Sequence, residues 1–251
     1  MGNNHSHFNS KEAVEHVAEM QAKGIVDATE IHGTEIPGHI SAATDSAKET
    51  ALTISIIWLL LIKMSLTHLN IFYGLLTFSI AWLIWKSGRS AWLGWSRLER
   101  LHRIVAQEKW EIDHHREQER EELTALYNAK GFEGKLLEDV IDTLMADNNR
   151  LLKVMIEEEL GLSLESQEHP LKQGLGAALG VIISSFICGI GFFLNPHYGL
   201  ILASLFTIAI ASILFSCYEK NKIIQAVFWN MGIAIFSLGT VYYIQQFIYA
   251  V

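Results

Sequence analysis

Residues 175–194 read LGAALGVIISSFICGIGFFL, twenty positions without a charged side chain. At 1.5 Å rise per residue such a run covers about 30 Å, the thickness of a bilayer's hydrocarbon core. Only a helix satisfies the backbone of a single segment there. The stretch therefore predicts a transmembrane helix, and similar runs flank it on both sides. Toward the C-terminus, 199–217 and 223–248 are two more, set apart by the Asn195-Pro196 breaker and the charged turn at 219–222. Toward the N-terminus, 51–64 extends back through the polar 46–50, and 71–85 follows a turn at 67–70. The expected class is an all-α membrane protein of five transmembrane helices, with a three-helix cytoplasmic domain between spans two and three.

Composition agrees with a chain of two unlike parts. Half of the 251 residues are hydrophobic, yet 18% are charged, and the charges gather before, between and just after the apolar runs. Expected boundaries are 1–45 for an N-terminal arm, 46–92 for spans one and two, 93–169 for the water-facing insert and 170–251 for spans three to five. The first forty residues lack the short apolar run and small-residue cleavage site of a leader, so none is expected. Cys188 and Cys217 fall within spans, where they act as small apolar residues rather than as a disulfide. A net charge of −8 argues against nucleic acid and for cations as partners.

Of the 19 Lys and Arg, three precede span one, thirteen lie between spans two and three, and two between spans four and five. Five spans put those regions on one side, and basic loops stay cytoplasmic. The N-terminus and the insert are thus expected in the cytoplasm, and Val251 outside or in a lumen. Gly176 and Gly180 have the small-xxx-small spacing that permits close helix approach. Packing within the chain and a dimer interface explain it equally well. In the arm, His5, His7, His16, His32 and His39 fit no defined metal site. Scattered surface histidines are the first reading, a low-affinity metal antenna the second and a proton sensor a distant third.

Within the insert, apolar positions recur at helical spacing: Leu123, Leu126 and Tyr127, then Leu136, Leu137, Val140 and Ile141, then Leu151, Leu152 and Met155. Three helices are expected. Lys130-Gly131 separates the first two, and 147–149 starts the third. No Gly or Pro intervenes between Trp95 and Lys130, so the first is expected to continue unbroken from span two. A short amphipathic helix is expected over 10–23.

Glu108, Glu111, Glu119 and Glu122 form two Glu-x-x-Glu pairs eleven residues apart. On one helix these offsets nearly complete whole turns, leaving the four within about 80° of one another, with His115 on the same stripe. Carboxylates three apart can share a small cation, and oxygen with occasional imidazole suits Fe(II), Mn(II) or Zn(II). Such pairs are also frequent on charged cytosolic helices, and spacing alone favours a solvated face. Further on, Met155 stands beside Glu157, Glu158 and Glu159, either as a thioether near carboxylates or as core packing.

The run EELTALYNAKGF at 121–132, followed by MIEEELGL at 155–162 and PLKQ at 170–173, resembles the cytoplasmic metal-binding domain of the vacuolar iron transporter family. The resemblance extends over about residues 95–250. It implies that Glu108, Glu111, Glu119, Glu122 and Glu159, with Met155, bind metal. It also implies a homodimer in a lipid bilayer whose first spans line a pathway for Fe(II) or Mn(II), exported against protons, with no prosthetic group and no catalytic residue. Three features depart from the family. Ile156 stands where a further glutamate belongs, with Glu157 or Glu158 as substitutes. Thr44-Asp45-Ser46 replaces an Asn-Asp-Gly signature, which makes Asp45, and Glu49 one turn on, either the pathway candidates or residues of the cytoplasmic interface, the two readings standing level. The second-span methionine and Gly-Glu-Tyr segment are missing, and 86–90, beginning with Lys86, stands there instead.

Three functions follow in order. Transport of divalent iron or manganese out of the cytosol comes first, and a membrane-tethered metal sensor or buffer that does not conduct second. A di-iron carboxylate oxidase built on Glu111-x-x-His114 is third, and lacks the second such motif it needs. Serine or cysteine triads, phosphate-binding glycine loops and Cys-x-x-Cys zinc sites are absent from the sequence.

Overall fold

The computed structural model describes residues 38–64, 66–159 and 168–249, with Glu159 by its backbone alone. The helix expected over 10–23, and His5, His7, His16 and His32, lie outside these residues. The described chain is helical and holds no strand. The helices are α1 (His39–Ile62), α2 (His68–His114), α3 (Arg116–Ala129), α4 (Gly134–Met145) and α5 (Asn148–Val154), then a π turn (Met155–Glu159), then α6 (Pro170–Leu194), α7 (Gly199–Glu219) and α8 (Ile223–Tyr249). Two compact units form, one from residues 96–159 and one from 38–95 with 168–249.

In the larger unit, α2, α6, α7 and α8 are long and apolar enough to cross a membrane. The protein is therefore a helical, multi-pass membrane protein. Composition alone supports four spans rather than the expected five. The reason is that every membrane-length stretch of α1 contains Asp45, Lys48 and Glu49. Yet α1 packs into the same apolar core: Ala51, Ile54, Trp58 and Leu59 meet Cys188 and Phe192 of α6, Leu200 and Ile208 of α7, and Ala234 and Leu238 of α8. Ser184 Oγ donates to the Ala47 carbonyl at 3.0 Å and Gln245 Nε2 to the Leu59 carbonyl at 3.0 Å, so polar groups also tie α6 and α8 to α1. Both cysteines are free, Cys188 buried and Cys217 exposed.

The glycine pair of α6 serves this packing. A Cβ on Gly176 would stand 2.1 Å from the His39 carbonyl oxygen, and one on Gly180 2.0 Å from that of Ala43. Backbone contact between α6 and α1 thus accounts for the spacing within one chain.

Glu168, just ahead of α6, closes the head of α1. Its carboxylate accepts from the His39 backbone N–H (2.7 Å) and Lys172 Nζ (2.9 Å), with His39 Nδ1 2.8 Å away. Partial burial pushes this carboxyl up, but the bonds from Lys172 and His39 outweigh burial and bring it down to about 2, from 4.5. A carboxyl depressed on folding adds stability that is complete above pH 4.5 and disappears as pH falls toward 2. Glu168→Gln is therefore expected to cost about 1 kcal/mol at neutral pH, as for loss of a charged helix cap. Melts of both proteins across pH check this, the gap closing in acid.

In the smaller unit, α3 ends as its sequence suggests. Gly131 takes φ 92, its N–H reaches the Asn128 carbonyl at 2.9 Å, and the Phe132 N–H reaches that of Tyr127 at 3.2 Å. The Tyr127 and Phe132 rings lie 5.5 Å apart, completing a Schellman motif with its apolar contact. Asp147 caps α5 by accepting from the Arg150 N–H at 2.9 Å. Arg116 binds Asn148 Oδ1 at 2.7 Å and the Met145 carbonyl, and Arg120 binds Asp142 at 2.5 Å, joining α3 to α4 and α5. Beneath them Ile112, Leu123, Leu126, Ile141, Met145, Leu151 and Met155 form one apolar cluster.

Candidate metal centre

The first helix of the insert does not run unbroken to Lys130. It continues from α2 as far as His114, and His115 then leaves the helical region at φ −127, ψ 34 to become the N-cap of α3. The hydrogen-bond ladder nearly survives. The His115 N–H still donates to the Glu111 carbonyl at 2.7 Å, and the His115 carbonyl accepts from Gln118 and Glu119 at 2.8 and 3.1 Å.

This one-residue break makes the site. On a straight helix Glu108 and Glu119 would be separated by about 16 Å along the axis, too far to share an ion whatever their angular alignment. With the break, ligand oxygens of Glu108, Glu111 and Glu119 all lie within 4.8 Å of one another. Glu108 and Glu119 are buried, at 4% and 0% exposure, and Glu111 is half-buried with Gln107 Nε2 donating to it at 3.2 Å. Glu122, one turn after Glu119, is buried at 2%. Gathering carboxylates out of water raises their mutual repulsion, which a divalent cation relieves. An oxygen-only group of this kind suits a hard or borderline ion such as Mn(II) or Fe(II).

Of the other expected ligands, Met155 is 1% exposed within the apolar cluster. Glu159 ends the π turn, and its side chain lies outside the described ones. Ile156, at 0% exposure, fills a core position, so a glutamate there would be buried too. Neither proposed substitute joins the three-carboxylate group: Glu158 pairs with Lys130, and Glu157 lies 3.8 Å from Lys153. The Tyr127 hydroxyl nearby is pushed up by burial and by Glu158, with Lys130 opposing. The π turn itself is a geometry that recurs at functional sites.

His115 sets its ring against Trp110, with centroids 5.4 Å apart, while His114 is exposed, stacks on Trp110 at 4.5 Å and lies 2.8 Å from its carbonyl through Nδ1. His114 lies outside the carboxylate group, so the Glu111-x-x-His114 spacing gains no support from it.

In the larger unit, Asp45 and Glu49 of α1 each have a lysine. Asp45 Oδ1 lies 2.6 Å from Lys48 Nζ and Glu49 Oε2 2.7 Å from Lys86 Nζ. Lys48 also sits 5.0 Å from the Phe215 ring centre. The sequence hinted at the first pair through its i, i+3 spacing. It held no local sign of the second, which joins residues 37 apart.

A family model described as the VIT family matches residues 94–246. No curated protein matches the chain.

Proposed function

We propose that this chain, which belongs to the VIT family, carries Fe(II) or Mn(II) out of the cytosol as a proton antiporter. The observation that carries the reading is the convergence of Glu108, Glu111 and Glu119 inside the segment that matches the family. That cluster captures the ion on the cytoplasmic side, with Glu122, Glu159 and Met155 as further ligands and Zn(II) as a third ion that it holds. Deprotonated carboxylates bind, so capture strengthens as pH rises.

On this reading α1 is the fifth span. Its 24 residues cover about 36 Å, and its charges are compensated in pairs. With five spans, the basic residues around the insert support an N-terminus and insert in the cytoplasm and a C-terminus outside or in a lumen. Asp45 and Glu49 lie on the path, which in keeping with the resemblance runs along α1 of a homodimer. No enzymatic step is involved.

The test is metal flux into proteoliposomes under a pH gradient. Wild type should take up Mn(II) and Fe(II) only with the gradient, Asp45→Ala should lose uptake, and Glu119→Ala/Glu122→Ala should need far more metal. A second reading, a sensor or buffer that binds without conducting, is favoured by the Glu49–Lys86 pair. It would be established by binding at the insert without flux.

A further inference from the structure

Among the described residues of the larger unit, Lys86 is a buried cation that the family resemblance does not explain. The residue is 5% exposed, and its ammonium donates to Glu49 Oε2 at 2.7 Å. Glu49 is the more open partner, its side chain 49% exposed against 6% for Lys86. Beside Glu49 lies a cavity of about 200 Å³, bordered by Asp45, Lys48, Leu52, Ile208 and Asn230. Both acids of α1 therefore face one small space, and each already holds a lysine. One turn back on α2, Trp82 Nε1 donates to Thr50 Oγ1 at 3.1 Å, a second side-chain bond between the two helices.

We propose that Lys86 is a tethered counter-cation that occupies Glu49 and bars a divalent ion from the α1 carboxylates until its side chain swings away. This rests on the reading of Asp45 and Glu49 as pathway residues. The physical ground is charge. Asp45, Lys48, Glu49 and Lys86 sum to zero, so a divalent ion entering this space meets two ammonium groups within a few ångströms. Repulsion at that range, at the effective dielectric of partly buried sites, exceeds what one additional ligand contact supplies. Without the Lys86 ammonium the group carries one net negative charge and an open carboxylate next to room for an ion.

The experiment uses the full chain in detergent with Glu108, Glu111, Glu119 and Glu122 all changed to Gln, so that the insert does not mask the membrane half. Mn(II) alone is the probe, followed by the electron paramagnetic resonance signal of the free ion. In that background Lys86→Gln is expected to gain a Mn(II) site binding on the order of tenfold tighter or more. Adding Glu49→Gln should abolish the gain, and Lys86→Arg should show none. Because Glu49 is half exposed, removing its partner does not strand a buried charge. Lys86→Met serves as the second variant. Folding that requires Mn(II) and Glu49 in either variant gives the same answer. A folded Lys86→Gln without Glu49-dependent binding, an equal gain in Lys86→Arg, or failure of both neutral variants to fold with or without Mn(II), overturns the proposal. Flux separates this from the transport reading. Gained binding with no flux in any variant ends transport and leaves the lock standing, whereas wild-type flux without gained binding does the reverse.

Discussion

The triple variant Glu108→Gln/Glu111→Gln/Glu119→Gln is expected to bind Mn(II) weaker by a hundredfold or more, and to gain nothing in melting temperature when Mn(II) is added. The two effects have one cause. Three carboxylates with oxygens within 4.8 Å, two of them buried, offer converging oxygen donors of one charge to a divalent ion. Loss of outer-shell groups alone costs metal sites about 10- to 100-fold, so loss of three direct oxygen donors costs at least that. Saturating Mn(II) should accordingly stabilise the wild type, by about 2.7 kcal/mol at a hundred times Kd, and leave the variant unmoved. Titration calorimetry and melts with and without Mn(II) measure both. If saturating Mn(II) leaves the wild type's melting point unmoved, or raises the variant's equally, the metal-site reading is wrong.

The fold was legible because membrane helices announce themselves by run length and their ends by a few residues. Asn195-Pro196, Lys130-Gly131 and Asp147 each stop or start a helix where the sequence places them. The number of spans was less legible. Length and core contacts put α1 with the apolar helices, while its three charges set it apart, and the pairing that reconciles the two is tertiary. The metal cluster shows the same division. The residue types and the periodicity were visible, but the periodicity was drawn on one straight helix, where the two pairs align in angle and remain a site's width apart. What unites them is the turn at His115, within a His-His-Arg run that contains neither Gly nor Pro. A helix break without those residues is held by tertiary ties, here Arg116 and Arg120 reaching α4 and α5, and no local rule reports it. In the sequence Lys86 marks only a departure from the family's second span, and its partner 37 positions earlier makes that departure a specific contact.

Gly180→Leu is expected to be the most damaging single substitution in the membrane half. A Cβ at 180 would lie 2.0 Å from the Ala43 carbonyl oxygen, well inside van der Waals contact, and the obstacle is backbone rather than a side chain that can turn aside. Relief requires α1 and α6 to separate by more than an ångström. That separation would loosen Gly176 from His39 one turn away and pull the Ser184 hydroxyl from the Ala47 carbonyl. Overpacking of this kind costs about 3 kcal/mol or more, and packing is the main force between helices in lipid, so little compensates. Even Gly180→Ala should lower the melting point clearly. Gly189→Ala, on the same helix with open space around its Cα, is the control and should melt within about 0.5 kcal/mol of the wild type. Because Asp45 and Glu49 follow Ala43 on α1, the two glycine variants also separate packing from transport. If Gly180→Ala abolishes flux while Mn(II) binding by the insert persists, the position of α1 governs conduction, and capture on the glutamates of the insert proceeds without it. Normal melting of Gly180→Leu would instead mean that α1 and α6 do not meet through this glycine face.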